Sequence, residues 1–286
     1  MDDLRQDKSF KWRYDLEEER FVYRIISMAQ AVHLWDAEKL KYEDLLRDNP
    51  HRAYVIAIEY RALIIVDRVK SLNISDRMLA YDGFPIKTAE GAIFRDQWIR
   101  IIRDVLLARI TLIRDCCFLL VAEIYELGLD PRKVSLRVLK KLVTNVAIVD
   151  LLTKIAHTGQ NIRNERDRYL HRGEQTAFSD EMDQFFQIMA MSEGSGIATP
   201  KLGFFDCEKG NQPIELNLGD MYGKIIGDTL AEYHRDGDQL VMLTRELFNL
   251  VEPEFDRRWA DKRNIAKDIR SWEIDQQLST QNAPVD

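Results

Sequence analysis

Residues 92–127 read AIFRDQWIRIIRDVLLARITLIRDCCFLLVAEIYEL. Apolar side chains recur in this stretch at steps of three and four residues, which is the period of one face of a helix. Gly128 lies where a C-terminal cap belongs, and Asp130-Pro131 offers the next helix a capping residue and a first-turn proline. The stretch therefore predicts one long helix whose apolar positions are Ile93, Trp98, Ile101, Ile102, Val105, Leu106, Ile113, Cys117, Leu120 and Ile124.

The N-terminal part of the chain also has a helical pattern. From about Asp15 to Arg47, one face carries apolar residues at helical spacing, and Pro50 ends the pattern. Residues 52–71 are apolar on most sides and predict a buried helix. The cluster Tyr81-Asp82-Gly83-Phe84-Pro85 predicts a turn. The face of the first helix is formed by Phe21, Ile25, Met28, Val32 and Trp35.

The chain after residue 130 continues as helices with one interruption. Periodicity predicts helices over 136–143, 146–155 and 177–191, whereas glycine, proline and alternating residues in 192–217 predict a loop with at most a small hairpin. A long helix is expected from about Asp220 to Val251. Pro253 is expected to interrupt it, and a charged helix should follow to Gln277.

These patterns predict an all-α fold with at most one small β-hairpin. We divide the chain into an N-terminal helical portion (1–90), a helical bundle core (91–192), a C-terminal portion with the loop or hairpin and further helices (193–277), and a disordered tail (278–286).

Composition excludes several classes of protein. The longest uncharged apolar run, Cys116 to Ala122, is far shorter than the ~20 residues of a membrane span. The N-terminus has no apolar signal core, and the three cysteines lack metal-ligand spacing. Adjacent Cys116 and Cys117 are interpreted as small core residues rather than a bridge. We expect a cytoplasmic protein with no cofactor, metal or membrane association.

Charge is distributed unevenly along the chain. The net charge is −7, which argues against a protein that coats nucleic acid regardless of its sequence. Between Lys154 and Arg172, however, five Lys or Arg residues stand against two acids, and Glu174 begins an acidic segment. A small basic site on an acidic body suits contact with a few phosphates better than long-range binding.

That basic segment contains the candidate site. Residues 163–173 read RNERDRYLHRG and place arginines and a histidine close together. Metal-free RNA cleavage needs an imidazole to move the 2′-hydroxyl proton and a guanidinium to hold the phosphate as charge develops. His171 and Arg166 are the candidates for these two roles. On a regular helix they would lie about 140° apart, so they would not converge on one phosphate.

The core Arg166-Asp167-Arg168-Tyr169-Leu170-His171 resembles the Arg–polar–three residues–His signature of HEPN domains. These are small helical bundles that include bacterial RNase toxins and phage-defence effectors. The resemblance implies a HEPN-like bundle with additional N- and C-terminal helices that dimerises, so that paired motifs line one cleft. It also implies RNA as substrate and an antitoxin or defence-system partner.

The resemblance further implies roles for the neighbours of the motif. Asp167 would orient His171 or Arg166, and the remaining polar residues would contact RNA; these are Arg163, Asn164, Arg168 and Arg172. The sequence departs from the family at Gly173, where some antitoxin-paired members carry tyrosine. Arg163-Asn164 repeats the Arg–polar start but lies eight residues from His171, outside the usual spacing.

Three functions stay open at this point. The first is a metal-independent endoribonuclease with a toxin or phage-defence role. The second is a non-catalytic HEPN-like module that binds RNA, nucleotide or a protein partner. The third is a helical interaction protein, in which the motif is a solvated helix end. His157 is a candidate second acid–base residue, although a structural role fits it better, and His33 and His51 are interpreted as structural.

Overall fold

The computed structural model describes residues 13–36, 49–81, 83, 86–89, 91–164, 167, 203–206, 212–215 and 218–281. Helices dominate these ranges, and the prediction of an all-α fold is confirmed. The helices are α1 (Arg20–Asp36), α2 (Pro50–Leu79), α3 (Arg95–Ile124), α4 (Leu136–Leu142), α5 (Val146–His157) and α6 (Leu218–Gln281).

Two short antiparallel hairpins accompany the helices. Strands β3 (Gly203–Asp206) and β4 (Gln212–Glu215) form the hairpin expected within 192–217, with Gly203 opposite Glu215. Strands β1 (Ile86–Thr88) and β2 (Gly91–Ile93) pair directly after the turn predicted at 81–85. This second ladder is three residues long, too short to show alternation in the sequence.

The chain divides into two compact units. Unit 1 comprises Met1–Tyr14, Lys70–Leu112 and Thr158–Leu240. Unit 2 comprises Asp15–Val69, Ile113–His157 and Val241–Asp286. Helices α2, α3 and α6 each contribute residues to both units, so the units are assembled from separate stretches of the chain rather than from consecutive ones.

Helix α3 follows the sequence pattern with two exceptions, Ile93, which lies in strand β2 before the helix, and Ile101. It spans Arg95–Ile124 against the predicted 92–127, and Gly128 has the left-handed φ of +60° expected of a C-terminal cap. Ile102 is buried as predicted, but Ile101 is 57% exposed. Adjacent residues lie 100° apart on a helix, so both isoleucines cannot point into the same core.

The turn after α3 also forms as expected, although the helical segment that follows it is shorter than predicted. The Asp130 side chain accepts a hydrogen bond of 2.9 Å from the Arg132 amide, which is the predicted capping interaction. It caps a single 3₁₀ turn, Pro131–Lys133, and the α-helix α4 begins only at Leu136. Asn145 caps α5 in the same way, since its Oδ1 accepts from the Ala147 amide at 3.0 Å.

Helix α2 begins at Pro50, where the preceding pattern was predicted to end. Proline suits this position because the first helical residue has no intrahelical partner for an amide proton. The helix was expected to be buried on most sides. Its core face is indeed buried, with Ile58 and Ile65 at 0% exposure, but Tyr60 is 61% exposed. The helix therefore has one buried face and one exposed face.

The prediction that Pro253 interrupts the last long helix is wrong. Helix α6 runs without interruption from Leu218 to Gln281 and contains Pro253 in its interior. A proline there removes one backbone hydrogen bond and costs about 3 kcal/mol. Phe255, two residues later, is completely buried, stacks on Tyr54 at 5.6 Å and meets Phe21 edge-on at 6.0 Å. These contacts offset the cost, because they require α6 to continue past the proline.

The adjacent cysteines occupy the places expected of core residues rather than of a bridge. Cys117 is completely buried and its Sγ lies 3.7 Å from Thr244 Oγ1, while Cys116 is half-buried, and both thiols are free. Burial raises the pKa of Cys117 to about 12. The thiol therefore stays protonated and unreactive at neutral pH.

We expect Phe255→Ala to lower the free energy of unfolding by about 3–5 kcal/mol, because it leaves a cavity beneath α6 and removes the contacts that offset Pro253. Urea unfolding followed by circular dichroism measures this loss. Met242→Ala on the same helix is the control, since Met242 is 57% exposed. The control should change the value by less than about 0.5 kcal/mol. Equal midpoints for the two variants would contradict the role given to Phe255.

Candidate functional site

The candidate site lies partly within the described residues. Of its seven predicted members, Arg163, Asn164 and Asp167 are described. Arg166, Arg168, His171 and Arg172 lie outside the described residues. The roles predicted for Arg166 and His171 therefore stay predictions. The described members define how the chain enters the motif.

A glycine turn leads into the motif. Helix α5 ends at His157, Gly159 has a left-handed φ of +68°, and residues 160–164 are helical again. The Arg163 amide donates to the Gly159 carbonyl at 2.9 Å. Ile162 is 1% exposed, so it anchors this new helical segment in the core. The motif is thus entered through a turn that is followed by a helical stretch.

Gly159 is required for its conformation and for its surroundings. A Cβ at this position would lie 3.2 Å from Ile110 Cγ2 and 3.8 Å from Asp236 Oδ2. A side chain would therefore be strained by the positive φ and would also press on α3. The entry to the motif is consequently held between Ile110 of α3 and Asp236 of α6, all within unit 1.

The described motif residues pair within their own helical segment. Arg163 Nε lies 3.6 Å from Asp167 Oδ2, with both side chains more than a third exposed. Asn164 Oδ1 accepts a hydrogen bond of 2.9 Å from Gln160 Nε2. These are the contacts that residues four apart make on a helix surface. Asp167 thus lies beside Arg163, and its predicted contact with Arg166 or His171 stays a prediction.

A histidine–carboxylate pair elsewhere in unit 1 was missed from the sequence. His234 Nε2 of α6 lies 2.8 Å from Asp76 Oδ1 of α2, and the two side chains are 27% and 28% exposed. The residues are 158 positions apart, so no local spacing connects them. The available signal was the polar run His-Arg-Asp-Gly-Asp at 234–238, which breaks an otherwise amphipathic helix.

The residues around this pair form a polar cluster. Asp238 lies one helical turn after His234 on α6. Arg13 donates two hydrogen bonds to it, through Nε at 3.0 Å and through Nη2 at 2.6 Å. The neighbouring Tyr14 is 3% exposed, and its backbone amide and carbonyl both bond the Asn73 side chain, at 2.9 and 2.8 Å. These contacts tie the segment before α1 to α2 and α6.

A cavity in the described residues belongs to unit 2. It has a volume of about 470 Å³ and is lined by α1, α2 and α6. The cavity wall is mostly apolar, and its Arg24 donates hydrogen bonds to Glu252 at 3.0 Å and to Asp256. None of the described candidate residues lines it. The lining residues are Arg24, Met28, Ala31, Val32, His51, Arg52, Val55 and Trp259.

Within the described ranges, no three histidine, cysteine, aspartate or glutamate side chains lie close enough together to hold a metal ion. None of the helices in the part of the chain that the structure describes has the length and apolarity needed to cross a membrane. No family model, curated protein or solved structure matches the chain.

We expect Gly159→Ala to destabilise the protein more than Gly128→Ala. Both glycines have a positive φ, +68° and +60°, so both substitutions carry the same backbone strain of about 1–3 kcal/mol. Only the alanine at 159 would also meet Ile110, because nothing lies within 4 Å of a Cβ at 128. Thermal unfolding of the two variants measures the difference. A larger loss for Gly128→Ala would contradict the close packing of the turn.

Proposed function

We propose that this chain is a metal-independent endoribonuclease of the HEPN type. The observation that supports the proposal is the Arg–polar–three residues–His stretch at 166–171, carried by an all-α chain. Two features of its surroundings are compatible with this function. The motif follows the Gly159 turn, and its described arginine, Arg163, is partly exposed on the surface of unit 1.

The proposed chemistry is an attack of the RNA 2′-oxygen on the adjacent phosphorus. His171 takes the 2′-hydroxyl proton, and Arg166 stabilises the charge that develops on the phosphate oxygens. The bond between phosphorus and the 5′-oxygen breaks, and that oxygen takes a proton from solvent water, to which His171 returns the proton that it accepted. The products are a 2′,3′-cyclic phosphate and a 5′-hydroxyl. No redox step or metal ion enters this balance, and DNA is not a substrate because it lacks the nucleophile.

The active form in this proposal is a two-fold homodimer. Arg166 and His171 would lie about 140° apart on a regular helix, so one copy of the motif would not focus both on a single phosphate. Two copies facing each other across a symmetry axis solve this problem, because each supplies one of the two groups. The biological setting that we propose is a cytoplasmic toxin or phage-defence effector that an antitoxin or another defence protein controls.

A second function is favoured by one specific observation. Arg163, Asn164 and Asp167 find partners within their own helical segment, at 3.6 Å for Arg163 with Asp167 and 2.9 Å for Gln160 with Asn164. Three candidate site residues satisfied in this way suit a non-catalytic module that binds RNA, nucleotide or a protein partner. The same pairs also suit a catalytic site before substrate binding, so the cleavage assay distinguishes the two functions.

We expect the purified protein to cleave single-stranded RNA in the presence of EDTA and to leave DNA intact. His171→Ala should lower the rate by about 10²–10⁴-fold, because it removes the proton acceptor. Arg166→Lys should also lose RNA cleavage, because an ammonium cannot make the two-pronged phosphate contact of a guanidinium. Gel analysis and mass spectrometry should show 2′,3′-cyclic phosphate or the 3′-phosphate derived from it.

The matched control is Arg132→Lys, which makes the same change in the Pro131–Lys133 turn of unit 2 and should keep full activity. Undiminished cleavage by His171→Ala, or activity that EDTA abolishes, would refute the mechanism. Wild-type protein that binds RNA without cleaving it would favour the binding module.

We expect light scattering to give twice the chain mass of 33.5 kDa at micromolar concentration. Activity should fall on dilution, because a monomer holds an incomplete site. Mixing His171→Ala with Arg166→Ala protein is the sharper measurement. If each copy supplies one group, mixed dimers contain one intact site and regain part of the activity. A fully active monomer would contradict the dimer.

A further inference from the structure

We propose that the cavity of unit 2 is a binding site for a small monocarboxylate with an apolar body, which is the chemistry of a medium-chain fatty acid. The inference goes beyond the proposed ribonuclease and does not depend on it. It is carried by the volume of the cavity, by the apolar side chains that form most of its wall, and by the basic side chains that line it from one end of α2.

The cavity lies beside the aromatic contact of three helices. Phe21 of α1, Tyr54 of α2 and Phe255 of α6 meet there, with ring centroids 6.0 and 5.6 Å apart. Val55 follows Tyr54 directly, and Trp259 follows Phe255 by one helical turn, so the cavity borders a firmly packed part of unit 2. Its volume of about 470 Å³ lies within the range of small-molecule sites, roughly 300–1,000 Å³.

Most of the cavity wall suits the apolar body of a ligand. Met28, Ala31 and Val32 lie on one side of α1, because residues three and four positions apart share a helix face. Val55 of α2 is almost completely buried, and Trp259 supplies a large apolar surface from α6. An alkyl chain in the cavity would remove this surface from water, which favours binding.

The polar part of the wall is basic. His51 and Arg52 line the cavity from the first turn of α2, and Arg24 lines it from α1. None of the described lining residues is acidic. A carboxylate suits this set, because a guanidinium can donate two parallel hydrogen bonds to its two oxygens. A bound anion would also oppose the positive end of the α2 dipole, since the first turn of α2 contains no acidic residue.

The two arginines of the wall have different roles in this site. Arg24 donates through Nη1 to Glu252 at 3.0 Å and to Asp256 at 2.9 Å, so these carboxylates match its charge. Arg24 therefore joins α1 to α6 and closes the wall. We assign the carboxylate of the ligand to Arg52, with His51 beside it in the same turn of α2.

The same wall disfavours a nucleotide. A nucleotide carries a doubly charged phosphate, ribose hydroxyls and polar base edges, and each of these groups needs a hydrogen-bond partner when it is buried. Beyond Arg24, His51 and Arg52, the described wall is apolar. A ligand with one anionic group and an otherwise apolar surface therefore fits the wall better.

Calorimetric titration with three ligands of equal chain length tests the inference. Octanoate carries the carboxylate, octanol has the same chain without a charge, and octyltrimethylammonium carries the opposite charge. We expect octanoate to bind one site with a Kd below about 1 mM. Octanol should bind about 10-fold more weakly, because it lacks the charge-assisted contact, and octyltrimethylammonium should not bind.

Two variants separate the anionic contact from the apolar one. Arg52→Gln should weaken octanoate binding about 10-fold and keep octanol binding within a few-fold of wild type, because only the carboxylate contact is lost. Val32→Trp should abolish the binding of both ligands, because the larger ring fills the cavity. The matched controls are Arg137→Gln and Val138→Trp on α4, which make the same changes in unit 2 outside the cavity and should bind as wild type does.

Four results would overturn the inference. They are no binding of octanoate, equal affinities for octanoate and octanol, unchanged octanoate binding by Arg52→Gln, and undiminished binding by Val32→Trp. His51→Gln is the second variant if Arg52→Gln does not fold by circular dichroism, and it should also weaken octanoate binding selectively. RNA cleavage enters none of these measurements, so the failure of either proposal leaves the other standing.

Discussion

The burial of Phe255 between Phe21 and Tyr54 is the contact on which unit 2 depends. It brings one residue each from α1, α2 and α6 to a single point, with ring centroids 6.0 and 5.6 Å apart. Aromatic pairs of this kind combine a large buried area with a defined relative orientation. The register of three helices is therefore set at one place, and the neighbouring charges follow from it.

Those charges lie on the turns of α6 around Phe255. Glu252 and Asp256 both bond Arg24 of α1. On the other side, Arg258 donates to the Tyr125 carbonyl at 3.0 Å and to Glu254 at 2.6 Å. Such partly buried pairs add orientation rather than much free energy, since ordering and desolvation offset the attraction. The apolar contact is the primary interaction, and the ion pairs fix the angle at which α6 packs.

How far the sequence predicted the fold differs from helix to helix for physical reasons. Helix α3 was predicted within three residues at each end, because Gly128 marks its end and the apolar period is unbroken. The prediction at Pro253 was wrong because the free-energy cost of a proline in a helix can be read from the local sequence. The burial of Phe255 that offsets this cost depends on tertiary packing and cannot. The exposure of Ile101 could not be predicted from the sequence either, since the pattern Ile101-Ile102 allows either residue to face the core.

The same distinction separates the motif from the polar pairs of unit 1. A motif of six consecutive residues is visible in the sequence, because its members are neighbours along the chain. The pair of His234 with Asp76 spans 158 positions, and that of Arg13 with Asp238 spans 225, so only the packed helices reveal them. The glycine turn at 159 lies between these cases: the glycine is visible in the sequence, but the nearby Ile110 side chain that leaves no room for a Cβ is not.

The segment before α1 determines which carboxylate His234 receives. Asp238 lies one turn from His234 on α6, but Arg13 bonds both of its oxygens. Tyr14 is buried beside it, and a Cβ at Gly237 would stand 2.7 Å from the Tyr14 hydroxyl, so a glycine there makes room for the ring. Burial, together with the charges of Asp238 and Asp76, raises the pKa of Tyr14 to about 12. The phenol consequently stays neutral and adds no charge to the cluster. Arg13 therefore compensates Asp238, which leaves Asp76 as the carboxylate that orients the imidazole.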